Sequence, residues 1–225
     1  MQTTAHDTAG NVRRQPSWPQ VLASAQSALA DALADAIAER RLDRQRYQHW
    51  LAMEFALARI GAGVLERLGA WHGGEPSLRA TALEWATALR DDARAAAADV
   101  RALDGIAPPP PAALAHWHVY AEAACRSQRA GEALGTVLLH AQLLEDREHG
   151  IVELLLELPF LATEGHRWLK RRGRAAPTSD AGNRQALINA WSASALAAGA
   201  QRAADWHRDA LAEVLHAPVE ARRPA

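Results

Sequence analysis

Tyr47-Gln48-His49-Trp50-Leu51-Ala52-Met53-Glu54-Phe55-Ala56-Leu57-Ala58, continued through Gly61 and Leu65 to Leu68, repeats its apolar residues at intervals of three and four. That is the period of an amphipathic α-helix, and no strand-like alternation competes with it. On a wheel of about 100° per residue, Trp50, Leu51, Leu57, Ala58, Gly61 and Leu65 share one arc, and Glu54 falls at its centre. A carboxylate turned into the core is costly unless it is paired or holds an ion, which makes Glu54 the first candidate functional residue. Tyr47 lies one heptad earlier on that face, and Gly61 one heptad later leaves space beside the acid.

Working outward, the same periodicity covers nearly the whole chain. A helix from Pro19 carries Leu22, Ala25, Leu29, Leu33 and Ile37 and ends near Arg41; Asp43 then caps the helix of Glu54, which stops at Gly73-Gly74-Glu75-Pro76. A third helix begins at Ser77 and ends before Asp104-Gly105 and the prolines 108–111, which enforce an extended linker. A fourth carries Leu114, Trp117, Ala121 and Ala124. A fifth runs from Leu134 through Val152 until Pro159 ends or bends it. A short helical piece over 160–172 and a long last helix over 183–216 complete an all-α, single compact bundle of about seven helices. Residues 1–17 read as a flexible arm, 18–216 as the domain and 217–225 as a flexible tail.

The 225 residues fit one domain, and a formal charge of −1 leaves no basic groove for nucleic acid. Lys170-Arg171-Arg172-Gly173-Arg174 reads as a helix end, where cations complement the dipole. The single cysteine, Cys125, cannot form an internal disulfide and packs as a small hydrophobe. The first residues lack the apolar core of a signal peptide, and no uninterrupted apolar run is as long as a membrane span, so a cytoplasmic protein without a membrane segment is expected. His-Glu-x-x-His, Gly-x-Ser-x-Gly, a glycine-rich phosphate loop and Cys-x-x-Cys are absent.

Further polar residues fall on or beside apolar arcs. Glu145 and Glu148 lie inside the arc of the fifth helix, with His140 and His149 at its two edges. On the fourth helix His118 borders the stripe and Glu122 follows four residues on; on the last, Arg202, Asp205 and Asp209 lie near the line of Leu187, Trp191, Ala198 and Trp206. Inward Glu and His from several helices supply the oxygen and nitrogen ligands that iron accepts. The competing reading pairs Glu54 and Glu145 with Arg202 or another arginine as internal ion pairs and leaves the histidines as border residues. Most of the eight tryptophans fall on inward stripes and read as core.

Three segments carry a resemblance. Leu42 to Phe55 places an aromatic-leucine pair one turn before an inward acid; Leu89 to Leu103 is an acidic-leucine helix; Ala130-Gly131-Glu132-Ala133-Leu134-Gly135-Thr136-Val137-Leu138-Leu139 contains a Leu-Gly step. In this order the chain resembles the haem oxygenase-like superfamily: haem oxygenases, thiaminase-II-type proteins, pyrroloquinoline-quinone synthase and helical di-iron oxidases. The resemblance implies a haem oxygenase-like bundle and an oxidase or oxygenase using iron or an aromatic cofactor in an internal pocket. Glu54 matches the first carboxylate of the di-iron members, and Asp146-x-x-His149 is similar to a ligand pair of that group. Residues 20–41 contain no histidine, so the proximal haem ligand of a haem oxygenase has no counterpart, and Cys125 stands outside the thiaminase motif.

The expected site is therefore Glu54, Glu145 and His149 as catalytic groups, with Glu122 and Glu148 joining them as metal ligands and Tyr47, Trp50, His118 and His140 lining a cavity for a small apolar or aromatic ligand. Iron is the expected cofactor, with haem the other guest that the resemblance admits. The alternative is a non-catalytic ligand- or partner-binding protein of the same fold with a degenerate site. Alanine-rich stripes permit close helix approach, which also raises a homodimer.

Overall fold

The computed structural model describes residues 16–71, 75–103, 108–144, 150–162, 164–172 and 178–216. Among these residues there is no strand, and the chain forms a compact helical bundle. The α-helices are α1 (Trp18–Ala38), α2 (Arg44–Trp71), α3 (Pro76–Leu103), α4 (Ala113–Arg126), α5 (Ala130–Gln142), α6 (Ile151–Leu156), α7 (Arg167–Arg172), α8 (Thr178–Asn189) and α9 (Ala193–His216), with a 3-10 turn at Pro159–Leu161. The expected arm and tail lie outside the described residues, except that Pro16 and Ser17 lead into α1.

Local chemistry sets the first helices. The Ser17 N–H donates to Gln20 Oε1 at 2.8 Å to open α1, and Arg40, at φ 54°, turns the chain out of it in the left-handed conformation common after a helix C-terminus. Asp43 Oδ1 accepts the Arg46 N–H at 2.8 Å, the N-cap that the sequence leads one to expect for α2. α1 is long and apolar enough, by length and composition, to cross a membrane. Asp31 and Asp35 interrupt it on its exposed side, and Val21, Leu29, Leu33 and Ala36 lay its other side on the core.

α2 and α3 pack side by side along their length, and α5 is the central helix, enclosed by α2, α4 and α9. From Ala130 to Ala141 every residue of α5 except Glu132 is buried. A helix apolar all round belongs in the middle of a protein, so its wheel has no true edge. The approach of α5 to α9 depends on glycine: a Cβ at Gly135 would fall on the Leu196 carbonyl, and one at Gly199 on the Glu132 carbonyl. The small-residue stripes thus bring two helices of one chain nearly to backbone contact.

The later, shorter elements are held by side chains from remote helices. Glu213 on α9 accepts the Ala112 and Ala113 N–H groups at 2.8 and 3.1 Å, closing the start of α4. Asp99 on α3 accepts the Trp168 N–H at 2.7 Å in the first turn of α7. Such caps each contribute roughly 1 kcal/mol, so Glu213→Ala should cost about 0.5–2 kcal/mol in urea unfolding without altering helix content.

Two expected helices are divided. The fifth ends at Gln142, and α6 begins at Ile151, after Gly150 at φ 57°. The apolar residues on either side keep the same phase, which hides the break from a periodicity reading. The last helix splits at 190–192, where Ser192 Oγ accepts the Ala195 N–H at 3.3 Å and caps α9. The basic run does end a helix, α7, as expected.

Candidate functional site

Glu54, 2 % exposed, meets imidazoles from two other helices. His140 on α5 places Nε2 at 2.9 Å from Oε2, and His207 on α9 places Nε2 at 3.7 Å from Oε1. The indole Nε1–H of Trp50, one turn earlier on α2, donates to Oε1 at 3.1 Å. The three elements converge for separate reasons: α2 by its apolar arc, α5 by central burial, α9 by the Gly135 and Gly199 contacts.

The charge states follow from the neighbours. Burial pushes the Glu54 carboxyl up, but the His140 hydrogen bond and the two nearby imidazoles outweigh it and hold the group well below the usual carboxylate range. His140 is pushed below its ordinary 6.5, first by burial, and its hydrogen bond to Glu54 only partly offsets this. An ionised carboxylate only accepts, so the neutral His140 ring donates its Nε2–H and leaves Nδ1 as a buried acceptor without a partner. At 3.7 Å the His207 contact is too long for a hydrogen bond, and its buried Nε2 has no partner either. A buried carboxylate charge beside a neutral imidazole calls for further polar partners or positive charge nearby.

His140 is fixed from behind. Arg172, buried at the end of α7, donates from Nη2 to the His140 and Ala141 carbonyls at 2.8 and 2.9 Å, closing the α5 C-terminus. Asp92 on α3 holds Arg172 through Nη1 at 3.4 Å and also binds Arg171. Arg172→Leu should therefore cost about 1.5–3 kcal/mol and shift the His140 ring resonances in NMR spectra of the folded protein.

A cavity of about 320 Å³ lies between α1, α5 and α9. Its walls are largely Val, Leu and Ala, including Val21, Leu29, Leu139 and Leu211, and its rim carries Asp35, Arg41, Asp205 and Arg208. His207 belongs both to its lining and to the Glu54 cluster. The volume is at the small end of ligand pockets, and a mostly apolar wall with few polar groups is their usual make-up.

The other expected residues sit elsewhere. Tyr47 is buried, donates its hydroxyl to the Gly165 carbonyl at 3.0 Å and packs with Trp50, Phe160 and, beyond Trp50, Trp168; neither Tyr47 nor Trp50 lines the cavity. His118 and Glu122 lie on the outer flank of α4, where Glu122 binds Arg67 and Arg126. Glu145, Asp146, Glu148 and His149 lie outside the described residues. Arg202 stacks on Tyr120 and does not serve Glu54 as an ion partner, and Asp205 pairs with Arg208 at 3.0 Å. Cys125 is a buried thiol, pushed up to about 11 by burial. His207 was not expected, although it occupies the centre of the stripe Leu196, Ala200, Ala203, His207, Ala210 and Val214.

As they stand, no three His, Cys, Asp or Glu side chains among the described residues form a ready metal cage. Protons from Trp50 and His140 occupy the Glu54 oxygens. The donor types, two imidazole nitrogens and one carboxylate, are ones that several transition metals accept, and the buried His207 Nε2 has no hydrogen-bond partner. No protein-family model matches the chain, and comparisons with curated proteins and with solved structures give no match.

Proposed function

We propose that this chain is a haem oxygenase-like helical protein that binds a small apolar molecule between α1, α5 and α9 and presents it to Glu54, His140 and His207. The observation that carries the reading is the double position of His207, on the cavity wall and within 3.7 Å of a buried, ionised carboxylate. In this arrangement Glu54 supplies fixed negative charge, Trp50 and His140 hold its two oxygens in place, and His207 is the group that stands between the centre and a guest. Filling the cavity from its rim with Ala28→Trp should abolish ligand uptake in calorimetry while the circular dichroism stays helical. Uptake that survives the substitution places the ligand elsewhere.

A second reading rests on the two-imidazole, one-carboxylate donor set: an iron-dependent oxidase or oxygenase. Glu54, His140 and His207 would hold the ion, which supplies dioxygen activation when bound. His140 would then carry its ring proton on Nδ1, which has no hydrogen-bond partner, a change of tautomer with no net loss of a proton, and metal uptake should fall only at acid pH, where protonation of the ring competes. Protein from iron-supplemented cells, and apoprotein reconstituted with ferrous iron without oxygen, should carry about one iron per chain, lost in His207→Ala. Metal-free protein under both conditions rejects this reading and leaves the binding role. Haem is tested in the same preparation by the Soret band on titration.

A further inference from the structure

The charges around the cavity are unequally paired. Both lining guanidinium groups are already engaged by carboxylates: Arg41 binds Glu39, and Arg208 binds Asp205 at 3.0 Å with Asp209 at 3.9 Å. Asp35, also on the lining and exposed to solvent, has no ion pair among the described residues. Behind the inner wall stands Glu54, reached through His207, whose Nε2 is buried without a hydrogen-bond partner. His207 and His216 are the other titratable groups of the lining. The lining thus carries two carboxylates and two guanidinium groups, and with both guanidinium groups and Asp205 taken up in pairs, Asp35 is the carboxylate left unmatched among the described residues.

We infer that the guest is an amphiphilic cation, an apolar chain or ring that fills the space between α1, α5 and α9 and bears an ammonium group at the rim beside Asp35. The inference rests on the cavity being the ligand site. An anionic guest meets the opposite situation: its carboxylate would have to displace Glu39 or Asp205 from an existing ion pair and would lie beside Asp35. A neutral guest gains the apolar contacts alone. The expected order is therefore amine, then alcohol, then carboxylate, for one and the same chain.

The test is calorimetric titration of the full chain at pH 7 with n-octylamine, n-octanol and n-octanoate, each below its aggregation concentration. Octylammonium should bind about fivefold more tightly than octanol, the effect of one well-placed exposed ion pair, with octanoate weakest. Asp35→Asn, at an exposed helix position, should remove most of that preference and leave octanol affinity unchanged. Octanoate binding as tightly as octylamine, or an amine preference that survives Asp35→Asn, overturns the charge assignment while octanol binding keeps the cavity reading intact. Absence of saturable binding by all three removes the cavity reading and this inference with it.

Discussion

Glu54→Ala should lower stability by about 3–5 kcal/mol, from two buried donors left without an acceptor at about 1–3 kcal/mol each and a cavity besides, and with it Tm by about 6–20 °C for a chain of this size. Three costs add. The His140 Nε2–H and the Trp50 Nε1–H lose their acceptor in a buried site, and the truncated side chain leaves a void between α2, α5 and α9. Glu54→Gln keeps the volume and one acceptor oxygen and should recover a large part of the loss. Chemical denaturation of the three proteins at pH 7 checks the order. Wild-type stability within about 0.5 kcal/mol for the alanine variant means that the carboxylate is solvated and the centre does not exist.

The same cluster dictates a pH dependence. Glu54 has a folded value held below its ordinary 4.5, so its contribution is present above that value and is lost as pH falls toward the folded one. His140, also held below its ordinary 6.5, is more easily protonated in the unfolded chain, so its contribution likewise begins to fall below about 6.5. In both cases the unfolded state binds more protons, and stability decreases on acidification in two stages. Burial raises the Asp99 carboxyl, and that group works in the opposite direction at low pH. Glu54→Gln should flatten the acid stage while leaving the loss near neutrality.

Gly199→Ala should be at least as damaging, with a loss at or above the upper end of about 1–3 kcal/mol for overpacking, because the obstruction is backbone rather than a movable side chain. The new methyl would fall on the Glu132 carbonyl, and α9 can accommodate it only by moving off α5. That movement separates His207 from Glu54 and opens the cavity wall, so ligand or metal uptake should fall together with stability. Gly63→Ala is the matched control. It lies inside α2 with open space where a Cβ would stand, and should stabilise by about 0.5–1 kcal/mol. Equal effects at the two positions would show that helix propensity, not the α5–α9 approach, decides.

The reading of Glu54 as inward succeeded because the acid lies at the centre of the apolar arc of α2, where neither phase error nor helix curvature moves it to the surface. His140 is a subtler case. On a wheel it stands at an edge, yet α5 is covered on all sides, so an edge position is as buried as any other. His207 lies on the regular three-and-four stripe of α9. A reading of 183–216 as one continuous helix ran its apolar line across the bend at Ser192, and that shift drew attention to Arg202, Asp205 and Asp209. Arg172 offered no such pattern, since a cation at a helix end is unremarkable until its guanidinium is seen on the carbonyls of another helix.

By itself the sequence determined helices, their polar punctuation and one misplaced acid, because these depend on neighbours within a turn or two of the chain. Which groups face that acid was decided only in the tertiary structure. Residues 54, 140 and 207 are far apart along the chain, and their meeting depends on two glycines that let helix backbones nearly touch and on an arginine that ties off the helix between them. Periodicity reports which way a side chain points within its own helix. It carries no information about the distance to another helix, and a carboxylate–imidazole centre depends on that distance.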